Sequence, residues 1–121
     1  MNIEEQVTSL ELSKQIKELG VEQESLFYWI STLQGFEIVY QGELLGEVSY
    51  SAFTVAELGK LLPTWFYSGK TLSKALKTEF ECGSAEYDKQ TWKKADTEAN
   101  ARGKMLIYLI EHNLIETHAK H

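Results

Sequence analysis

Three residue types that mark particular classes of protein are almost missing from this chain. Its 121 residues include one cysteine, Cys82, one proline, Pro63, and one arginine, Arg102. A lone cysteine excludes an internal disulfide and any cysteine-rich zinc site. A single arginine supplies few bidentate contacts to phosphate, and the net charge of −6 opposes binding to a polyanion. General binding to nucleic acid is therefore not expected.

Long apolar runs are also lacking. The longest, Met105–Ile110, is far shorter than the roughly 20 apolar residues that cross a bilayer. The first residues, MNIEEQ, are acidic, whereas a secretory signal begins with positive charge followed by an apolar block. We therefore expect no membrane partner and a cytoplasmic location.

The overall composition of the chain is typical of one globular domain. Hydrophobic residues make up 43% of the chain and charged residues 25%, which is the balance of a folded protein of this size. No low-complexity tract divides the sequence. A single α+β domain over residues 1–121 is predicted, with 1–6 and 116–121 flexible at its ends.

Two helices are predicted from a shared capping pattern. Thr8 with Glu11, and Thr54 with Glu57, each fit a box in which the hydroxyl and the carboxylate cap one another's backbone. Gly20 can adopt the left-handed conformation that ends a helix, so the first helix is expected to stop there. Pro63 ends the second helix.

A third helix is predicted to follow Asp96–Thr97 and to run to about His112, where Asn113 can take the left-handed conformation. One apolar stripe of this helix is expected to lie on the sheet, formed by Ala99, Leu106, Leu109 and Ile110. Ile107 falls nearer the opposite side. We expect that side to be covered either by the segment Glu43–Phe53 or by another subunit.

Strand-like segments lie between the helices. Leu26–Thr32 and Phe36–Tyr40, joined by Leu33-Gln34-Gly35, predict an antiparallel hairpin. In Lys74–Cys82 apolar and polar residues alternate, which predicts a strand with one solvent-exposed face. Gly83-Ser84 is expected to form a turn that leads into a partner strand over Tyr87–Lys93. Two further short strands are expected, at Glu47–Phe53 and Trp65–Tyr67.

The order α-β-β-(β)-α-β-β-α predicts an α+β fold. We expect one antiparallel sheet of about four to five strands, with three helices packed on one of its faces.

Catalytic and cofactor-binding patterns are not found in the sequence. The glycines never reach the spacing of a phosphate loop, and neither GxSxG nor HExxH occurs. Three histidines, His112, His118 and His121, crowd the C-terminus, where a frayed tail cannot preorganise metal ligands. Cys82 lies on the apolar face of its strand and is expected to be a buried hydrophobe. The prediction is a non-enzymatic protein without a metal or cofactor.

Surplus aromatic residues suggest an interaction surface. Phe27-Tyr28-Trp29 and Trp65-Phe66-Tyr67 are contiguous triplets, and neighbours on a strand point to opposite faces. At least one aromatic residue in each triplet must therefore face away from the core, toward a partner or toward a second layer. The candidate interaction residues are Trp29, Trp65, Tyr67, Ile107 and Tyr108. A second copy of the chain or another protein would be the partner.

A basic and aromatic cluster precedes the third helix. Lys89, Trp92, Lys93 and Lys94 could hold an anion or stack a base beside the helix start, although Asp96 and other acids oppose an anion there. A small-ligand or nucleotide binder is therefore the alternative function. An acidic inhibitor of a host defence protein is a further one, and it requires carboxylates concentrated on one face.

Three segments resemble a known group of sequences: Val7–Trp29 (VTSLELSKQIKELGVEQESLFYW), Ser51–Pro63 (SAFTVAELGKLLP) and Asp96–Ile115 (DTEANARGKMLIYLIEHNLI). Together they are similar to small uncharacterised proteins encoded in bacterial phages, prophages and neighbouring mobile elements. The resemblance implies an accessory protein that acts inside a bacterial host cell. It brings no catalytic or binding residue with it.

Overall fold

The computed structural model describes residues 2–41, 49–63, 66–72, 78–84 and 91–115. Its helices are α1 (Leu10–Glu18), α2 (Val55–Leu61) and α3 (Glu98–Glu111), and Ile3–Glu5 form a 3-10 turn. The strands are β1 (Phe27–Thr32), β2 (Gly35–Tyr40), β3 (Ser49–Ala52), β4 (Tyr67–Leu72), β5 (Thr78–Gly83) and β6 (Lys93–Ala95). The predicted α+β class with three helices is confirmed.

The strands form two antiparallel sheets of three strands each, in the orders β2-β1-β3 and β4-β5-β6. The expectation of one sheet with four to five strands is wrong in this respect. After β3 the chain enters α2, and β4 then starts a new sheet. Helix α3 packs against the strands of the second sheet, while α1 packs against β3 and against α3.

The β1–β2 hairpin is confirmed, with a register that runs from Phe27 opposite Tyr40 to Thr32 opposite Gly35. Leu33 and Gln34 form its turn. Gly35 has a φ of 123°, a region that side chains rarely tolerate, so glycine suits this position.

In the second sheet β5 pairs with β6, which shares only Lys93 with the expected partner over Tyr87–Lys93. Cys82 lies opposite Lys93 and Phe80 lies opposite Ala95, so the pairing begins where the predicted strand ends. Residues 85–90 and 73–77 lie outside the described residues, including the first part of the predicted strand Lys74–Cys82.

Strands are found at both of the short segments predicted, 47–53 and 65–67, but with different bounds. The first covers Ser49–Ala52, and the second begins at Tyr67 and runs on to Leu72.

The first helix begins one residue later than predicted. Ser9, not Thr8, is its N-cap, and its hydroxyl accepts a hydrogen bond from the Leu12 amide at 3.3 Å. The hydroxyl of Thr8 is buried, where it shares a 2.8 Å hydrogen bond with Ser13 Oγ and accepts from the Phe53 amide at 3.2 Å. Because Thr8 is hydrogen-bonded to Phe53 in an extended conformation, Ser9 caps the helix instead.

The other helix ends agree with the sequence. Thr54 and Glu57 form the predicted capping box, and α2 ends before Pro63. Gly20 and Asn113 both have positive φ, at 92° and 59°. Thr97 caps α3 by accepting from the Asn100 amide. These ends are set by local chemistry, which explains why they could be predicted.

The core is centred on α3, whose buried residues are Ala99, Ala101, Gly103, Met105, Leu106, Ile107 and Leu109. A Cβ at Gly103 would lie 2.9 Å from Thr8 Cγ2 and 3.7 Å from Leu12 Cδ1, so this glycine allows α1 to approach closely. One turn later, Ile107 is only 6% exposed. The sequence analysis expected Glu43–Phe53 or another subunit to cover this side of α3, and this is wrong, because α1 lies on it.

Candidate functional site

One face of the first sheet carries a continuous set of large apolar side chains. Residues opposite one another in an antiparallel pair point to the same face, so the register places six of them together. We call this set the aromatic face: Phe27, Trp29, Phe36, Ile38, Tyr40 and Tyr50. All six keep some contact with solvent, and Tyr40 is 50% exposed.

Ring contacts hold the aromatic face together. Phe27 and Tyr40 meet edge to face with centroids 5.9 Å apart, and Phe36 and Tyr50 lie 6.1 Å apart. The Lys14 ammonium lies 5.3 Å from the Phe36 ring centroid, and a cation at this distance is attracted to the ring. The face therefore combines aromatic rings with positive charge from α1.

Trp29, which the sequence singled out, belongs to the aromatic face and is half-buried. Its Nε1 donates a 3.0 Å hydrogen bond to the Thr8 carbonyl. The adjacent Tyr28 is buried on the other side of the strand, where its hydroxyl donates to the Gln23 carbonyl. The first triplet is thus divided between two faces as strand geometry requires. Trp65 and the side chain of Tyr67, the candidates from the second triplet, lie outside the described residues.

The outer edge of β2 borders the aromatic face. Among the described residues no strand pairs with this edge, since the sheet order is β2-β1-β3. The Gln41 amide donates to the Leu26 carbonyl at 2.8 Å, and ladder groups alternate in direction along an antiparallel strand. The backbone groups of Phe36, Ile38 and Tyr40 therefore point away from β1. Sequence reasoning did not identify these three residues, because their placement depends on the register.

The two candidates on α3 are occupied by contacts within the chain. Ile107 is buried beneath α1. Tyr108 is half-buried; the Lys93 ammonium lies 4.4 Å from its ring centroid and the His112 ring lies 4.2 Å away. Neither residue presents a large free apolar surface.

The basic candidates before α3 do not converge. Lys93 lies opposite Cys82 and contacts Tyr108, while Lys94 is the next residue of β6 and therefore points to the other face. Trp92 donates from Nε1 to the Ser84 carbonyl at 3.1 Å, and its ring covers Gly83, where a Cβ would lie only 2.1 Å from it. Lys89 lies outside the described residues.

A cavity of about 680 Å³ lies instead at the starts of α2 and α3. Its charged lining consists of the carboxylates of Glu5, Asp96 and Glu98 and the ammonium of Lys70. The rest of the lining is formed by Gln6, Thr54, Val55, Ala56, Phe80 and Thr97. Its size falls within the range of small-molecule sites, and its charge favours a cation over an anion.

Arg102 forms a polar network beside this cavity. Its Nε donates to Ser68 Oγ at 2.6 Å and its Nη1 to the Val55 carbonyl at 3.0 Å. Ser68 Oγ in turn donates to Glu98 Oε2 at 2.5 Å, and Arg102 Nη2 lies 3.7 Å from the same carboxylate oxygen. The guanidinium therefore joins α2, α3 and β4.

Cys82 is fully buried next to this network. Burial raises the pKa of its thiol from 9.0 to about 12; Arg102 opposes this shift and Glu98 adds to it. A thiol with such a pKa remains protonated at neutral pH and is a poor nucleophile.

Within residues 2–41, 49–63, 66–72, 78–84 and 91–115, no three histidine, cysteine or acidic side chains are grouped to hold a metal ion. No helix in the same ranges has the length and apolar character to cross a membrane. No family model, curated protein or solved structure matches this chain.

Proposed function

We propose that this chain is a non-enzymatic interaction module that contacts a protein partner or a second copy through the aromatic face. The observation that carries the proposal is the set of six large apolar side chains which line one sheet face and remain in contact with solvent. Grouped apolar side chains at a surface mark interaction sites more often than scattered ones do.

The chemistry of the face supports this proposal. Aromatic side chains dominate the energetics of protein interfaces, since they bury a large area at a small cost in side-chain entropy. The rings already form two pairs within the sheet, Phe27 with Tyr40 and Phe36 with Tyr50. A surface that is ordered before binding loses less entropy when it binds.

The cellular setting that we propose is a bacterial host cell, with the chain as an accessory protein of a phage or mobile element. This part of the proposal depends on the resemblance of the three segments Val7–Trp29, Ser51–Pro63 and Asp96–Ile115.

Site-specific photocrosslinking in a bacterial cell tests the proposal. A photoreactive phenylalanine analogue replaces Tyr40 on the aromatic face, and in a matched variant it replaces Leu33, which is fully exposed in the turn of the same hairpin. We expect adducts of discrete mass from position 40 and none from position 33. If position 40 gives no adduct, or both positions give the same adducts, the proposed function is wrong.

The cavity at the starts of α2 and α3 favours a second candidate function, the binding of a small ligand. Three carboxylates and one ammonium line it, so an organic amine with an apolar part fits its chemistry better than a nucleotide. A thermal-shift comparison of a panel of amines with a panel of nucleotides tests this candidate. An upward shift with amines that Asp96→Asn reduces would support it, and equal stability throughout both panels would exclude it.

A further inference from the structure

We infer that β2 is a homodimerisation edge, which pairs antiparallel with β2 of a second copy about a two-fold axis at Ile38. The inference rests on the proposed function and names its partner. The two sheets would join into one six-stranded sheet in the order β3-β1-β2-β2-β1-β3.

Among the described residues, the outward backbone groups of this edge have no strand partner, and they recur in a suitable pattern. The amide and carbonyl groups of Phe36, Ile38 and Tyr40 point away from β1, at every second residue. Natural proteins protect such edges with proline, bulges or several charges. In β2, by contrast, Glu37 is the only charged residue and there is no proline.

The aromatic residues of the strand are placed symmetrically about Ile38, and this placement favours a second copy over an unrelated peptide. Residues 36–40 read Phe-Glu-Ile-Val-Tyr, with an aromatic residue two places on each side of the centre. An antiparallel pair centred on Ile38 places Phe36 opposite Tyr40 of the other copy twice, and Ile38 opposite itself. Aromatic and β-branched pairs of this kind stabilise neighbouring strands.

Glu37 selects this register. In the pair centred on Ile38, each Glu37 lies opposite Val39 of the other copy. A centre at residue 37 would place two carboxylates directly opposite one another, which is unfavourable. A centre at residue 39 would leave Phe36 beyond the paired segment. The register at Ile38 is therefore the one that pairs all three outward residues without a like-charge contact.

The size of the edge predicts a weak dimer. A contact along one six-residue strand is smaller than the roughly 1,600 Å² buried in a standard stable interface. We therefore expect a dissociation constant in about the micromolar to millimolar range. Association should accordingly depend on protein concentration.

Sedimentation equilibrium of the purified full chain over a wide range of concentration tests the inference, with circular dichroism as a check on folding. Ile38→Lys places two ammonium groups opposite one another at the axis, and we expect the dissociation constant to rise at least about tenfold. Val39→Lys instead places each new ammonium opposite Glu37 of the other copy, so the constant should fall by about threefold. Leu33→Lys, in the turn, is the matched control and should leave the constant unchanged.

Two results would overturn the inference: a wild-type chain that stays monomeric at about millimolar concentration, or a dimer in which Val39→Lys does not strengthen association. The Val39→Lys arm keeps the test decisive even if Ile38→Lys fails to fold. If the chain is monomeric while position 40 still crosslinks to another protein, the inference fails and the proposed function stands. If the chain is monomeric and position 40 gives no crosslinked adduct, both the inferred dimer and the proposed function are wrong.

Discussion

Replacing Arg102 with methionine should destabilise the chain by about 2–3 kcal/mol, because one guanidinium joins three elements. Methionine keeps most of the apolar stem while it removes the donors to Ser68 Oγ and to the Val55 carbonyl. It also leaves the Glu98 carboxylate without the positive group that lies 3.7 Å from it. The loss should therefore exceed that of an ordinary surface ion pair.

The magnitude follows from the burial of the two partners. Hydrogen bonds that involve a charged group contribute about 1.5–3 kcal/mol each, and loss of one partner of a buried ion pair costs about 3–5 kcal/mol. The Arg102 and Glu98 side chains are 21% and 31% exposed, so water compensates part of this loss. The expected cost thus lies below the value for a fully buried pair.

Denaturant unfolding followed by tryptophan fluorescence measures this cost. Glu98→Gln in the Arg102→Met background removes the uncompensated carboxylate and should recover about 1 kcal/mol, whereas Glu98→Gln alone should destabilise the chain. A loss below about 0.5 kcal/mol for Arg102→Met would refute this account. Strict additivity of the two substitutions would refute the role assigned to their coupling.

Three further substitutions test the packing and electrostatics around the same helices. Cys82 should make stability fall at alkaline pH: its pKa is 9.0 when unfolded and about 12 when folded, so its contribution is present below pH 9 and is lost as pH rises toward 12. Between pH 8 and 10.5 the difference in unfolding free energy between wild type and Cys82→Ala should shrink by about 2 kcal/mol, and an unchanged difference would contradict the buried thiol. Gly59→Ala should destabilise the wild type, since its Cβ would lie 2.5 Å from Arg102 Nη1 and would force that nitrogen out of its hydrogen bond to the Val55 carbonyl. In an Arg102→Ala background the same substitution should stabilise the chain by up to about 1 kcal/mol through helix propensity. Thermal unfolding of the four variants checks this reversal of sign. Thr54→Ala should cost about 1 kcal/mol through loss of the capping box, and denaturant titration against Thr54→Ser, which keeps the hydroxyl, isolates the cap.

The helix ends could be predicted from the sequence because their causes are local. The capping box of Thr54 and Glu57 and the left-handed Asn113 depend on residues within one turn. The first helix shows the limit of this reasoning. Thr8 and Ser9 are both suitable caps, and the choice is made by pairing with Phe53, which is 45 residues away.

The sheet arrangement and the candidate surface depend on contacts that are distant in sequence. The triplet Phe27-Tyr28-Trp29 indicated an outward aromatic residue, and strand alternation was enough to predict that. Phe36, Ile38 and Tyr40 join the same face only through the register of β1 with β2. The cavity could not be predicted either, because its lining comes from segments between Glu5 and Glu98 that meet only in the folded chain.

The attachment of the N-terminal segment has a consequence for folding during synthesis. The Thr8 amide donates to the Phe53 carbonyl, and the Ser9 amide donates to Asn100 Oδ1, 91 residues further along the chain. Helix α1 emerges from the ribosome before α3, because all six strands and α2 lie between them in the sequence. The β1–β2 hairpin can form as soon as it emerges, because its contacts are local. Leu12 and Ile16, by contrast, lie near Gly103, so their burial is complete only after α3 has emerged, and until then part of this apolar stripe is exposed and prone to non-native contacts.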